Sequence, residues 1–382
     1  MTPTRFPLEG LRVLDFTQYV AGPYCTQVLA DLGATVLKIE RPGSGDVYRA
    51  QGPVFLNGES VSFLTLNRGK RSMPLDLGAA DDRAALERLL EQADVLVENM
   101  RPGTLAKYEL DEASVRRRHP QVVYASISGF GQVGPMAGQG GYDLTVQALS
   151  GLLHLTGHPG APPAKIPVAA LDFGSGLYAA IGILAALRDR DRTGRGQWTH
   201  TSILETALAW LSMHIATTDV TGVEPEPGGT RSPFFAPYEA YRTSDGYVVV
   251  VGTGGRAAWE RLCALLGLQR LVADPRFAEN GDRVRNAEQL REELEAVLAT
   301  RPTAHWEREL ARAEIPYAPV QRLKQVLGSE QVRALGSVTT LDHPVAGPMP
   351  IVRLPIRFSD AASTAVTPPP RLGEGAELGW AS

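Results

Sequence analysis

The stretch Leu11–Asp46, LRVLDFTQYVAGPYCTQVLADLGATVLKIERPGSGD, decides the fold. An apolar run over Arg12–Phe16 is short enough for a buried strand, and a turn closing on Ala21-Gly22-Pro23 follows it. Helical spacing then runs to Leu32, and a second apolar strand covers Thr35–Ile39. Strand, helix and strand in that order make a βαβ unit, which requires a parallel sheet. The rhythm continues downstream. A helical segment at 79–93 (AADDRAALERLLEQA) leads to a strand at 94–99 (DVLVEN), and a basic helix end at 113–120 (ASVRRRHP) leads to a strand at 121–128 (QVVYASIS). The expected architecture is a doubly wound α/β sheet, in which ligands collect outside the carboxyl ends of the strands.

Beyond Trp210 the pattern changes. Pro- and Gly-rich sequence over 221–237 reads as a linker, and YEAYRTSDGYVVVVG (238–252) reads as a β-hairpin turning at Ser244-Asp245-Gly246. Three helical segments follow, giving a smaller α+β domain. The boundaries drawn are 1–220 for the large domain, 221–330 for the small one and 331–382 for a C-terminal segment. Two domains also suit a chain of 382 residues. The tail carries one strand-like run at 350–359, and TPPPRLGEGAE (367–377) reads as mobile.

Composition narrows the function. A net charge of −4 without a long block of one sign argues against nucleic acid as a partner. The two cysteines, Cys25 and Cys263, form no C-x-x-C pair, and the seven histidines form no H-E-x-x-H, so no metal site is expected. Neither a signal peptide nor an apolar run of membrane-spanning length is evident, and a cytoplasmic location without membrane association is the default expectation.

Candidate chemistry centres on PVAALDFGSGLYAAIGILAAL (167–187), which holds one charged residue, Asp172. Two roles are open to it. It is an N-cap for a helix over about Gly174–Asp189, or a covalent nucleophile toward an activated acyl carbon, with the amides of Gly174 and Gly176 holding the oxyanion. The run Gly129-Phe130-Gly131-Gln132-Val133-Gly134 fits G-x-G-x-x-G after a strand, but Pro135 follows where a dinucleotide fingerprint needs a helix. It therefore reads better as an active-site loop than as the mark of a dinucleotide-dependent oxidoreductase.

Two strand-end loops, KIERPGSGD and VENMRPGTLAK, share a basic residue beside a Pro-Gly turn. Arg41, Arg101 and Lys107 are therefore candidates to meet phosphates. Asp143 and Glu205 each have a capping role open to them, His154 and His158 read as structural, and Arg231 is a candidate for a distal carboxylate of a substrate such as succinate.

Taken together, these motifs with NRGKRSMPLDL, GYDLTVQALSG and TGRGQWTHTSILETAL resemble the class III CoA-transferases, a group that includes the α-methylacyl-CoA racemases. The resemblance runs from Leu8 almost to Asp360. It implies a Rossmann-like large domain to which both chain ends contribute, a small middle domain and an interlaced homodimer. It also implies that Asp172 is the catalytic aspartate. Val20, Ala21, Arg41, Leu75, Asn99, Met100 and Lys107 match positions that contact CoA, Val20 standing where some members have glutamine and Lys107 where arginine is common.

The racemase branch has a histidine before the residue that is here Asp143. This chain has Tyr142, and tyrosine with a reference pKa of about 10 is a poor base at neutral pH. The resemblance thus implies a CoA-transferase with an acyl-CoA donor, a small carboxylic acid acceptor and no prosthetic group or metal. The racemase is the alternative.

Overall fold

The computed structural model describes residues 5–252, 254–364 and 367–380, which form two compact units. The larger comprises the described residues of 1–153, 166–223 and 330–382; the smaller comprises those of 154–165 and 224–329.

The large unit is built on six strands: β1 (Arg12–Asp15), β2 (Thr35–Glu40), β3 (Lys70–Pro74), β4 (Val95–Glu98), β5 (Val123–Ser128) and β6 (Trp198–Ser202). All pair in parallel, in the order β3-β2-β1-β4-β5-β6. The register is in step across the centre, Val13 lying beside both Val36 and Val95. Chain direction across the sheet reverses between β1 and β4, so their carboxyl ends form the topological switch point at which such sheets bind ligands.

Alternate strand residues feed two cores. On one face Val13, Val36, Val97 and Ile127 pack with α1 (Ala21–Asp31) and with Ala179, Ala180 and Ile183 of a long later helix. On the other, Leu14, Leu37, Leu96 and Tyr124 pack with Leu86 and Leu90 of α2 (Ala80–Leu90) and Val115 of α3 (Glu112–Arg118). Burial on both faces is what a parallel sheet requires. The edge strand β3 has the polar sequence KRSMP and carries no apolar signal of its own.

Four more helices complete the frame of the site: α4 (Asp143–Leu149), α5 (Ala170–Thr193), α6 (Ile203–Trp210) and α7 (Ser212–Thr221). By length and composition α5 could cross a membrane, yet its Leu171, Ala179, Ile183 and Leu187 are buried within the large unit.

The C-terminal segment returns to the large unit, where Leu354 joins the α1 core. The stretch 367–377 is not loose, in contrast to the expectation. Gly69 N donates to Thr367 O (3.0 Å), Ser72 N to Glu374 O (2.9 Å) and Gly373 N to Ser72 Oγ (2.9 Å). Partners some 300 residues away in sequence hold it in place.

In the small unit a three-stranded antiparallel sheet carries the hairpin Tyr238–Arg242/Tyr247–Val251, with Tyr317–Pro319 added at its edge. Helices Gly255–Leu266, Ala287–Leu298 and Thr303–Arg312 cover it around the buried Trp259, Phe277 and Trp306. Residues 154–165, assigned from sequence to the large domain, belong to this unit: Gly229 N donates to Gly157 O at 2.7 Å, and His154 lies 3.8 Å from Glu226.

Candidate active site

At the switch point a cleft of about 290 Å³ opens between the loops that leave β1, β4 and β5. Val20 and Ala21 line it from the first loop, Asn99, Met100 and Arg101 from the second, and Gly129 with Gly140–Tyr142 from the third. Asp172 lines it as well. The third loop leaves and returns through a glycine pair: a Cβ on Gly129 would sit 2.6 Å from Gly141 Cα, so only glycine permits that crossing. The G-x-G-x-x-G run therefore shapes a cleft wall, and α4 begins only at Asp143.

Asp172 is not the N-cap of its helix. Helix α5 starts at Ala170 with Ala169 as N-cap, which places Asp172 as the third helical residue. The cap comes from elsewhere in the chain: Asp143 Oδ2 accepts from Leu171 N at 2.8 Å and from Asp172 N at 3.4 Å. Asp143 is held in turn by Gln147, whose Nε2 donates to Asp143 Oδ1 and whose Oε1 accepts from Ile166 N at 3.1 Å. The Asp172 carboxyl is partly buried, and that burial together with the neighbouring Asp143 charge pushes its pKa up to about 7.

Gly174 and Gly176 do not serve as oxyanion donors, because both lie inside α5, where their amides belong to the helical ladder. Their role is close packing. A Cβ on Gly174 would meet the Trp210 ring at 2.4 Å, and one on Gly176 would meet Ala21 O at 2.5 Å.

Tyr142 is 58% exposed at the cleft edge and contacts Tyr19 edge-on, the ring centroids 5.8 Å apart. Tyr19 has φ = 66°, a left-handed conformation that costs a non-glycine residue of order 1–3 kcal/mol. The loop that carries it is held from both sides. Asn99 accepts from Gln18 N (2.8 Å) through Oδ1 and donates to Gln18 O (2.7 Å) through Nδ2.

Beneath the loop lies a set of buried charges that sequence reading missed. Lys38 Nζ donates to Thr17 O (2.7 Å) and pairs with Asp46 (2.8 Å), while Lys70 Nζ pairs with Asp15 (3.0 Å) and donates to Pro23 O (2.9 Å). Burial opposes the charge on Asp15, but Lys70 and Lys38 outweigh it and draw its pKa down to about 2; burial brings Lys70 down to about 8. A lysine in the middle of a strand was the one available signal.

The residues matched to CoA contacts divide into two groups. Val20, Ala21, Asn99 and Met100 share the cleft with Asp172 and Tyr142, and so does Arg101, which the loop motif alone had offered as a phosphate candidate. Arg41, Leu75 and Lys107 line a second cavity of about 410 Å³, which shares Gln18 and Met100 with the first. The two arginines read from sequence as a matching pair thus occupy different places.

Other candidates are otherwise engaged. Glu205 accepts from Ser202 Oγ (2.6 Å) while its amide donates to Ser202 Oγ (3.1 Å), Ser202 being the N-cap of α6. Arg231 pairs with Glu288 at 3.1 Å. Among the described residues no cluster of three or more His, Cys, Asp or Glu could hold a metal.

Residues 8–376 match the family model described as CoA-transferase family III, and the chain belongs to that family. It is a CoA-transferase, whose substrates are CoA thioesters. It is 37% identical over 368 residues to a succinyl-CoA:glutarate CoA-transferase of Mus musculus, covering 96% of this chain and 84% of the relative. An acetyl-CoA:oxalate CoA-transferase of Acetobacter aceti is 37% identical over 86% of this chain and 84% of its own. The crystal structure of a CAIB/BAIF family protein from Brucella suis superposes with a TM-score of 0.85 at 36% identity, covering 98% of both chains.

Proposed function

We propose that this enzyme moves CoA from an acyl-CoA donor to a small carboxylic acid through covalent intermediates on Asp172. A carboxylate oxygen of Asp172 attacks the thioester carbonyl carbon, the C–S bond breaks, and CoA thiolate leaves an acyl–aspartyl anhydride. The thiolate then attacks the aspartyl carbonyl of the anhydride, releasing the donor acid and forming an aspartyl-CoA thioester. The acceptor carboxylate attacks that thioester, and the same two steps run in reverse to free Asp172 and the new acyl-CoA. The thioester bond energy is conserved throughout, so no net proton or electron is exchanged and no prosthetic group or metal is needed.

The observation that carries this reading is the partly buried Asp172 carboxyl in the switch-point cleft, where burial and the neighbouring Asp143 charge oppose its ionisation. A carboxylate poorly stabilised by its surroundings is reactive toward an acyl carbon. Arg41 and Lys107, on the cavity that continues past Met100, are read as the phosphate contacts, with Val20, Ala21, Leu75, Asn99 and Met100 along the pantetheine path.

Tyr142 supports transfer over racemisation, since α-proton exchange needs a good base beside the α-carbon. The same reading includes a homodimer, supported by the exposed Tyr178, Ile181, Trp210, Met213 and Ile215 on α5–α7, and a cytoplasmic location. The test is to incubate the enzyme with succinyl-CoA and glutarate in D₂O. Glutaryl-CoA should form, and a 2-methylacyl-CoA in the same solvent should gain negligible α-deuterium. Deuterium uptake at a rate rivalling transfer would instead assign the racemase reaction.

A further inference from the structure

We infer that Arg101 selects dicarboxylate substrates by binding the carboxylate remote from the reacting one, an assignment that rests on the CoA-transfer reading above. Among the residues lining the Asp172 cleft, Arg101 is the one cation. The guanidinium lies against the third loop, where a Cβ on Gly140 would come within 3.1 Å of Nη2, so the glycine there leaves room for the arginine to reach along the cleft wall.

On α3, Arg116 and Arg118 each pair with a carboxylate, Glu112 and Glu87, whereas no acidic partner of Arg101 occurs among the described residues. Arg41 and Lys107 are set apart in the neighbouring cavity, and Arg231 is taken up by Glu288. A cation on the wall of the cleft that holds the nucleophile, without a protein counter-charge, is suited to an anionic group of the substrate. Guanidinium matches a carboxylate with two parallel hydrogen bonds, which a lysine cannot reproduce. An acyl group with a second carboxylate satisfies it; a monocarboxylate leaves it unpaired.

The test compares glutarate with valerate, equal in chain length but lacking the second carboxylate, as acceptors from succinyl-CoA. In the wild type glutarate should be preferred. Arg101→Gln should raise the KM for glutarate roughly ten- to a hundredfold, the loss of one charge-assisted contact. It should leave the KM for valerate and the inhibition constant of desulfo-CoA within about twofold, and Arg101→Lys should fall between. Thermal melts of both variants should match the wild type.

A wild type that does not discriminate between the two acids would overturn the assignment. So would an Arg101→Gln enzyme that weakens desulfo-CoA while keeping the preference for glutarate, which would make Arg101 a CoA contact. A wild type that transfers CoA to no acid would contradict the CoA-transfer reading itself.

Discussion

Asp143 caps the helix on whose first turn Asp172 stands, accepting from Leu171 N and Asp172 N through one carboxylate oxygen. The contact does two things at once. It uses amides at the α5 N-terminus that would otherwise favour an ionised Asp172, and it places a second negative charge beside it.

Replacing Asp143 by asparagine removes the charge while its amide oxygen can still accept from both backbone amides, at the cost of the contact with Gln147 Nε2. Loss of the charge removes one of the two causes that raise Asp172, so its pKa should fall from about 7. The acid limb of kcat/KM, which follows ionisation of the nucleophile, should move to lower pH. Burial, the larger cause, remains, so the limb should stay above the ordinary aspartate range. A pH–rate profile measures this directly.

Asp172 should also weaken the fold at alkaline pH. Its folded pKa lies above its unfolded one, so its stabilising contribution is complete below about pH 4 and is lost as pH rises through about 7. Asp172→Asn should therefore gain on the wild type by roughly 1–3 kcal/mol at pH 8 and by much less at pH 4. Denaturant midpoints at the two pH values provide the comparison.

The second cavity gives a binding prediction. Arg41→Ala and Lys107→Ala should each raise the KM for acyl-CoA, by roughly 1.5–3 kcal/mol in binding energy if each meets a phosphate. Because both side chains are exposed, folding should be unaffected. Isothermal titration with CoA, and with its dephospho and pantetheine fragments, assigns the contact to one phosphate.

Gly176→Ala should harm fold and site together. The new methyl would lie 2.5 Å from Ala21 O and 3.3 Å from Cys25 N, both backbone atoms that cannot move without shifting α1. Overpacking of this kind costs ~1–3 kcal/mol. Since Ala21 also lines the cleft, the KM for acyl-CoA should rise as the Tm falls.

These positions also explain what could be read from the sequence. The βαβ rhythm of Leu11–Asp46 and the strands near Val95 and Val123 were legible because buried parallel strands are runs of apolar residues. Strand β3 was not, because Lys70 and Ser72 face buried polar partners, Asp15 and Glu40. The start of α5 was placed four residues too late because Gly174 and Gly176 read as a turn, although they serve contacts with Trp210 and Ala21 that sequence does not display. Asp172 could be singled out as a lone charge in apolar surroundings. Its cap by Asp143, 29 residues earlier, joins the first turns of two helices through tertiary structure alone.

The nucleophilic role of Asp172 is tested most directly by trapping. The wild-type enzyme given succinyl-CoA and hydroxylamine should carry a hydroxamate on Asp172, found by peptide mass, because anhydride and thioester at that carboxyl are both electrophilic. Asp172→Asn should keep its fold, lose transfer and carry no mark. A hydroxamate on Asp143 or Glu205, or an asparagine variant that transfers CoA at the wild-type rate, would contradict the mechanism.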